Sequence, residues 1–394
     1  MLIDRIKKLA EEIHADVTTN RRHLHANPEL SFEEYKTAAF VKAELDKLGI
    51  PYQEMANTGV VGILTGGKTS DKVIALRADM DALPITEANE VDYKSKNVGV
   101  MHACGHDVHT SSLLGTAKIL SQIKDDFAGT VKFIFQPAEE RLPGGANLMI
   151  KEGVLENPKP TAVMGQHVMP LIDAGKIGLR SGKYMASTDE LYVTIKGKGG
   201  HGAQPQQNID PVVIMAQIIT ALQTIISRSS DPRSPSVLSF GKVIANGATN
   251  VIPNEVYLEG TFRTLNEKWR AEAHLKMKKM AESIAEGMGG SCDFRIEHGY
   301  PFLINEEKLT ARVKDAAIDY LGAENVLDLD IWMAAEDFAY FSQVSDACFY
   351  RLGTRNEEKG ITSSVHTPTF DIDEKALGLS TGLMAYMAVK ELGN

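Results

Sequence analysis

Apolar residues recur at helical spacing over 2–25 and again over 31–48, and the second stretch opens on Ser31-Phe-Glu-Glu34, the order of a capping box. Short apolar runs at 60–65 and 73–78 predict strands. Further along, 110–123 reads as a helix, 129–136 as a strand, 146–152 as a helix and 162–166 as a strand. Strands alternating with helices predict an α/β domain whose mostly parallel sheet is covered by helices. Reactive groups in such sheets gather at the carboxyl ends of strands. Asp79 and Asp81, Glu139 and Glu140, and His167 all directly follow strand candidates.

The rhythm changes between 187 and 299. Strand-like alternation at 190–196 leads into an apolar helix over 210–228, opened by Asp210-Pro211. Two alternating strands follow at 236–244 and 255–263, then an amphipathic helix at 267–288 and a strand at 292–297. The order β-α-β-β-α-β predicts a ferredoxin-like α+β domain inserted into the first. The expected division is therefore 1–186 and 300–394 for the catalytic domain and 187–299 for the insertion. The last segment must return to the first domain, because His366 has no site of its own to join.

A chain of 394 residues exceeds what one core usually serves, which supports two domains. A formal net charge of −10 argues against nucleic acid or an anionic membrane as the main partner. Only Cys104, Cys292 and Cys348 are present, an odd and scattered set that fits a reducing compartment. The first residues lack the uninterrupted apolar core of a signal peptide or membrane span, and the last carry no retention or lipidation signal. A cytoplasmic protein is expected.

The densest chemistry lies in His102-Ala-Cys104-Gly-His106-Asp107-Val-His109, where imidazole and thiol together suit a zinc-class ion. Helix-capping or core histidines are the plain alternative for any one of these. Glu139-Glu140 ends the apolar run 131–138, and hydrolysis at a metal needs one carboxylate as ligand and an unligated one as base. In Arg77-Ala-Asp79-Met-Asp81-Ala-Leu-Pro84 an aspartate could orient a histidine ligand, or merely cap a turn. His167 and His366 are single histidines at the ends of apolar runs. Gly62-Ile-Leu-Thr-Gly-Gly67-Lys68-Thr69 matches the phosphate-loop pattern, yet a strand rather than a helix follows it, which argues against nucleotide hydrolysis. In the insertion, glycines surround His201, while Asn250 and Arg263 could hold a substrate's carboxylate.

Together these motifs resemble the M20 metallopeptidase family, in its branch of N-acyl-amino-acid, hippurate and auxin-conjugate amidohydrolases. The resemblance runs from Arg22-His23-Leu-His25-Ala-Asn-Pro-Glu-Leu30 to His366, and includes Gly199-Gly-His-Gly-Ala-Gln-Pro205, Asn250-Val-Ile-Pro-Asn254, Gly260-Thr-Phe-Arg263 and Ala335-Glu-Asp-Phe338. It implies two divalent metal ions (zinc, manganese, nickel or cobalt) held by Cys104, His106, Glu140, His167 and His366. It implies Glu139 as general base, His201 as oxyanion stabiliser, and Asn250 and Arg263 as substrate-binding residues. Asp81 falls where the family has a metal-orienting aspartate, and His109 becomes a supporting group. The implied partner is a small N-acyl amino acid, and the implied assembly a homodimer through the inserted lid domain. One departure is the segment before His167, containing Glu156-Asn-Pro-Lys-Pro160, which is longer than the branch's pattern. A dipeptidase or carboxypeptidase with the same machinery, or a non-catalytic binding protein on the same fold, are the competing readings.

Overall fold

Four parallel strands, Ala128–Gln136, Lys68–Asp79, Ala162–Asp173 and Ala347–Arg355, form the centre of an eight-stranded sheet in a computed structural model that describes residues 1–393. Their inward faces are Val, Ile, Leu, Phe and Met, as expected of strands buried on both sides. Gly59–Thr65 and Tyr52–Met55 extend one edge antiparallel, and Ile177–Leu179 and Val326–Asp328 complete the other. Lys68 opens a strand, so the phosphate-loop lookalike is a strand-to-strand turn in which Gly66 N–H bonds the Gly129 carbonyl.

The helix His106–Gln122 is buried along nearly all its length and packs against His14–Ala26 and Lys375–Glu391. Gly115 allows that approach, since a methyl there would meet Thr381 and Val17 at 2.7 Å. The N-terminal segment is two helices, Leu2–Glu12 and His14–Ala26, with a break at Ile13 where one was expected. Ile6, Ala10, Ile13 and Val17 still line one buried stripe, and beyond it the second helix turns Arg21 and His25 inward. The next helix is Tyr35–Lys47 and does not begin at Ser31. The expected capping box does not form, because Ser31 donates to Asp81 and the Glu34 carboxylate accepts from Ala138 and Thr58. The motif helix in turn starts at His106 rather than 110, after Gly105 in the left-handed region at φ 83°.

The chain divides into two units, of which the second comprises Met185–Leu303 and Trp332–Glu336. The last segment is thus interrupted by five residues that belong to the second unit, a departure from the expected unbroken 300–394. That unit's antiparallel sheet has the spatial order Ser236–Ile244, Glu255–Thr264, Asp189–Lys196, Ser291–His298, with Pro211–Thr224 and Glu267–Gly287 as the two crossing helices. This is the ferredoxin-like arrangement. Asp210 caps the first helix through Val212 and Val213 N–H, with Pro211 in the first turn, where its missing N–H costs nothing. Residues Pro211–Ser229 are long and apolar enough to cross a bilayer, but Ile214, Ile218, Leu222 and Ile225 recur on one face and enter this unit's core. Asp189, fully buried, is held by Arg270 and His274, so the charge is compensated.

Gly145 begins the short helix Gly145–Lys151 with its Cα pressed on the preceding turn, where an added methyl would lie 1.8 Å from the Pro137 carbonyl oxygen. Gly145→Ala is therefore expected to cost at least about 2 kcal/mol of stability by thermal or denaturant unfolding. Gly241→Ala, whose methyl meets nothing within 4 Å, should be neutral. Equal stability of the two variants would contradict the packing described.

Candidate metal centre

The four central strands deliver their carboxyl ends to one place. Asp79 and Gln136 end neighbouring strands, and His167 stands two residues beyond Gly165, the last partner of Arg77 across the parallel ladder. The His106–Gln122 helix brings its first residue to the same point. A side chain at Gly105 would strike Val168 at 2.6 Å, so glycine lets this helix start close against the strand. His366 arrives on the segment after Ala347–Arg355, in the left-handed region at φ 62°, with its N–H donating to the Ala103 carbonyl at 2.8 Å. A non-glycine residue held in that region is a strained position of the kind that collects at functional sites.

All five expected ligands meet here. Cys104 Sγ is 3.3 Å from both His167 Nε2 and His366 Nε2. Glu140 Oε1 is 3.2 Å from His366 Nε2, with no hydrogen bond formed between them, and 4.0 Å from His106 Nε2. Two triads share the thiol, Cys104–His106–His167 and Cys104–Glu140–His366, and a third joins His106, Glu139 and Glu140. The partners of the histidines decide which nitrogen faces the cluster. His167 Nδ1 donates to the Val168 carbonyl, and His106 Nδ1 lies 3.2 Å from Asp81 Oδ1, so each presents Nε2. His106 Nε2 is buried without a hydrogen-bond partner among the described residues, the state of a nitrogen made to bind a metal.

The electrostatics agree. Burial opposes the His106 imidazolium, but Asp79 and then Asp81 overcome it and push its pKa up to about 10. The same anionic field favours a divalent cation. Burial, then the Glu140 and Glu139 carboxylates, push the Cys104 thiol well above its ordinary range, and a coordinated cation is what would make it a thiolate. Burial and Arg351 hold His167 well below the usual imidazole range, keeping it neutral and fit to ligate. Borderline nitrogen, soft sulfur and carboxylate oxygen together suit zinc-class ions.

Asp81 sets the two glutamates. Its Oδ1 accepts the Glu139 N–H and its Oδ2 the Glu140 N–H, each at 3.0 Å, and Ser31 donates to Oδ2 at 2.6 Å. Glu139 is buried, and its Oε1 accepts from the Asp337 backbone N–H at 3.3 Å. The Asp337 carboxylate is itself fixed by Arg77, Gln136 and the Ala146 N–H. Arg77 and Asp337 carried no assigned role in the sequence, although both lie inside recognisable motifs. Only the fold shows that they meet. His109 is not a ligand candidate, because Nδ1 donates to Asp79 and Nε2 accepts from Val168 N–H. His102 is buried too, and burial pushes its pKa down to about 4. His201, Asn250 and Arg263 belong to the second unit. His201 is exposed on a two-residue strand paired with Val251–Ile252, and Asn250 accepts from Gly202 N–H beside it. Arg263 lies on Glu255–Thr264, half-buried, donating to the Met333 carbonyl at 3.3 Å.

Asp81→Asn would put a donating NH₂ where an accepting oxygen is needed, opposite either the Glu139 N–H or the Glu140 N–H. The expected result is metal affinity weakened about 10–100-fold in chelator competition. Unchanged affinity would show that Asp81 does not orient the site.

A protein-family model for peptidase family M20/M25/M40 matches residues 75–389. An N-acyl-L-amino acid amidohydrolase of Geobacillus stearothermophilus is 47% identical over 309 residues, covering 78% of this chain and 83% of the relative. Thermostable carboxypeptidase 2 of Saccharolobus solfataricus is 39% identical across 99% of this chain and 98% of its own length. Among solved structures, a dinuclear metal-binding peptidase of the M20 family from Bacillus subtilis superposes with a TM-score of 0.83 at 35% identity, covering 97% of this chain and 99% of the other. By matched length, identity and site, the chain belongs to peptidase family M20/M25/M40 and is a metal-dependent hydrolase.

Proposed function

We propose that the protein hydrolyses the amide bond of N-acyl-L-amino acids. The observation that carries this reading is the division between the adjacent glutamates. Glu140 faces Cys104 and His366, whereas Glu139 is held by a backbone N–H beside them. In this reading Glu139 is the carboxylate that moves a proton. The two divalent ions that the donor set fits would polarise the amide carbonyl and make water acidic enough to deprotonate near neutrality. Glu139 takes the proton of the attacking water at its carboxylate and returns it to the leaving amine. His201 stabilises the oxyanion, and Asn250 and Arg263 hold the substrate carboxylate, Arg263 through its planar guanidinium. Zinc, manganese, nickel and cobalt all suit these donors, and a reducing cytoplasm keeps Cys104 available to bind them.

The carboxypeptidase reading draws on the Saccharolobus relative and uses the same centre. A panel of N-acetyl- and N-benzoyl-amino acids and unblocked dipeptides, assayed with chelated and metal-reconstituted protein, separates the two. Metal-restored cleavage of blocked substrates is expected; preference for free dipeptides would overturn the acylase assignment. Glu139→Gln should lower kcat by about 10²–10⁴-fold with full metal content by elemental analysis. Retained turnover would remove Glu139 from the role of base.

The assembly we propose is a homodimer through the second unit. In support, the apolar helix Pro211–Ser229 has 22% of its most hydrophobic stretch buried, and the edge strand Ser236–Ile244 leaves Val237, Val243 and Ile244 exposed. Sedimentation velocity should give a dimer mass, reduced toward monomer by Val243→Lys with Ile244→Lys. A monomer in the unsubstituted protein would contradict the assembly.

A further inference from the structure

Glu34 is fully buried at the start of the helix Tyr35–Lys47, yet its carboxylate makes no bond to that helix. Oε1 accepts from Phe32 N–H at 3.0 Å and from Ala138 N–H at 2.8 Å, and Oε2 accepts from Thr58 Oγ1 at 2.6 Å. A buried carboxylate satisfied only by neutral donors, where a helix cap was available, is a local rule broken next to the metal centre. Ala138 directly precedes Glu139 and sits in the left-handed region at φ 49°, a conformation costing about 1 kcal/mol for a residue with a Cβ. Its carbonyl accepts from Gly145 N–H at 3.0 Å.

We propose that Glu34 is a positioning residue for the Glu139–Glu140 pair, its carboxylate and that of Asp81 together clamping the three consecutive backbone N–H groups of residues 138–140. Asp81 receives the second and third of these and Glu34 the first, so the strained turn at Ala138 is held from the segment before Tyr35 as well as from the strand end. The Ser31–Glu34 pair thus serves the turn rather than the helix, Ser31 through Asp81 and Glu34 directly. Glu34 touches neither substrate nor metal in this scheme; it acts through the backbone that aims the base. What it holds is an acceptor geometry rather than a charge, so glutamine, with Thr58 reversing its hydroxyl, can substitute.

The inference rests on the hydrolase reading for its kinetic consequence but has a readout of its own. Glu34→Ala, Glu34→Asp and Glu34→Gln would be compared with the unsubstituted, metal-loaded chain by hydrogen–deuterium exchange of the peptide spanning 138–140, metal content, and hydrolysis of N-acetyl-L-alanine. Alanine, and aspartate whose shorter stem cannot reach Ala138, should speed exchange at this turn and lower kcat by about 10–100-fold while KM stays near its original value. Glutamine should keep both slow exchange and turnover. Original exchange and kcat in the alanine and aspartate variants would overturn the proposal, as would a glutamine variant as impaired as alanine. If alanine prevents folding, the aspartate variant decides on the same criteria. If the unsubstituted chain cleaves no acylated amino acid, the hydrolase reading fails and the exchange data alone decide the clamp.

Discussion

The carboxylate of Asp81 couples the two halves of the catalytic centre. One oxygen faces His106 Nδ1 and receives the Glu139 N–H, and the other receives the Glu140 N–H and the Ser31 hydroxyl. His106 and the turn bearing both glutamates are therefore registered against one buried group. Such a carboxylate is expensive to bury unless its acceptor sites are filled, and here they are. The hydrogen bonds that satisfy it are the same ones that set His106 and the two glutamates, so the geometry of the site and the tolerance of the buried charge have one cause.

Beneath this, Arg77 lies fully buried between Asp79 and Asp337, and Gln136 closes the network. Its guanidinium bonds both carboxylates and the amide at once, using the planar fork that lysine lacks. Asp79 passes the arrangement to His109 and Asp337 passes it to Glu139. The centre is thus rigid from below and open in its donor atoms above, which is the division a metal site needs between supporting groups and ligands.

Much of this was legible in the chain. Runs of Val, Ile and Phe such as 131–135 announce strands buried on both faces, and the cluster from His102 to His109 announces metal chemistry because packing does not require it. The alternating strands of the insertion show their ferredoxin-like order directly, since each keeps one polar face. What the sequence hid was long-range. Ser31-Phe-Glu-Glu34 obeys a local capping rule that tertiary contacts override, and the start of the motif helix at His106 depends on Gly105 meeting Val168, a contact invisible to periodicity. Asp337 is 198 residues from Glu139, so nothing in local spacing could pair them. The five-residue excursion at Trp332–Glu336 escaped for the same reason.

The central claim is that Glu140 ligates a two-metal centre sharing Cys104 while Glu139 acts as base. Anomalous X-ray diffraction at the absorption edge of the bound metal tests it most directly. The account predicts two peaks, one contacted by Cys104, His106 and His167 and the other by Cys104, Glu140 and His366, with the Glu139 carboxylate bound to neither. A single peak, or a peak ligated by Glu139, would contradict it.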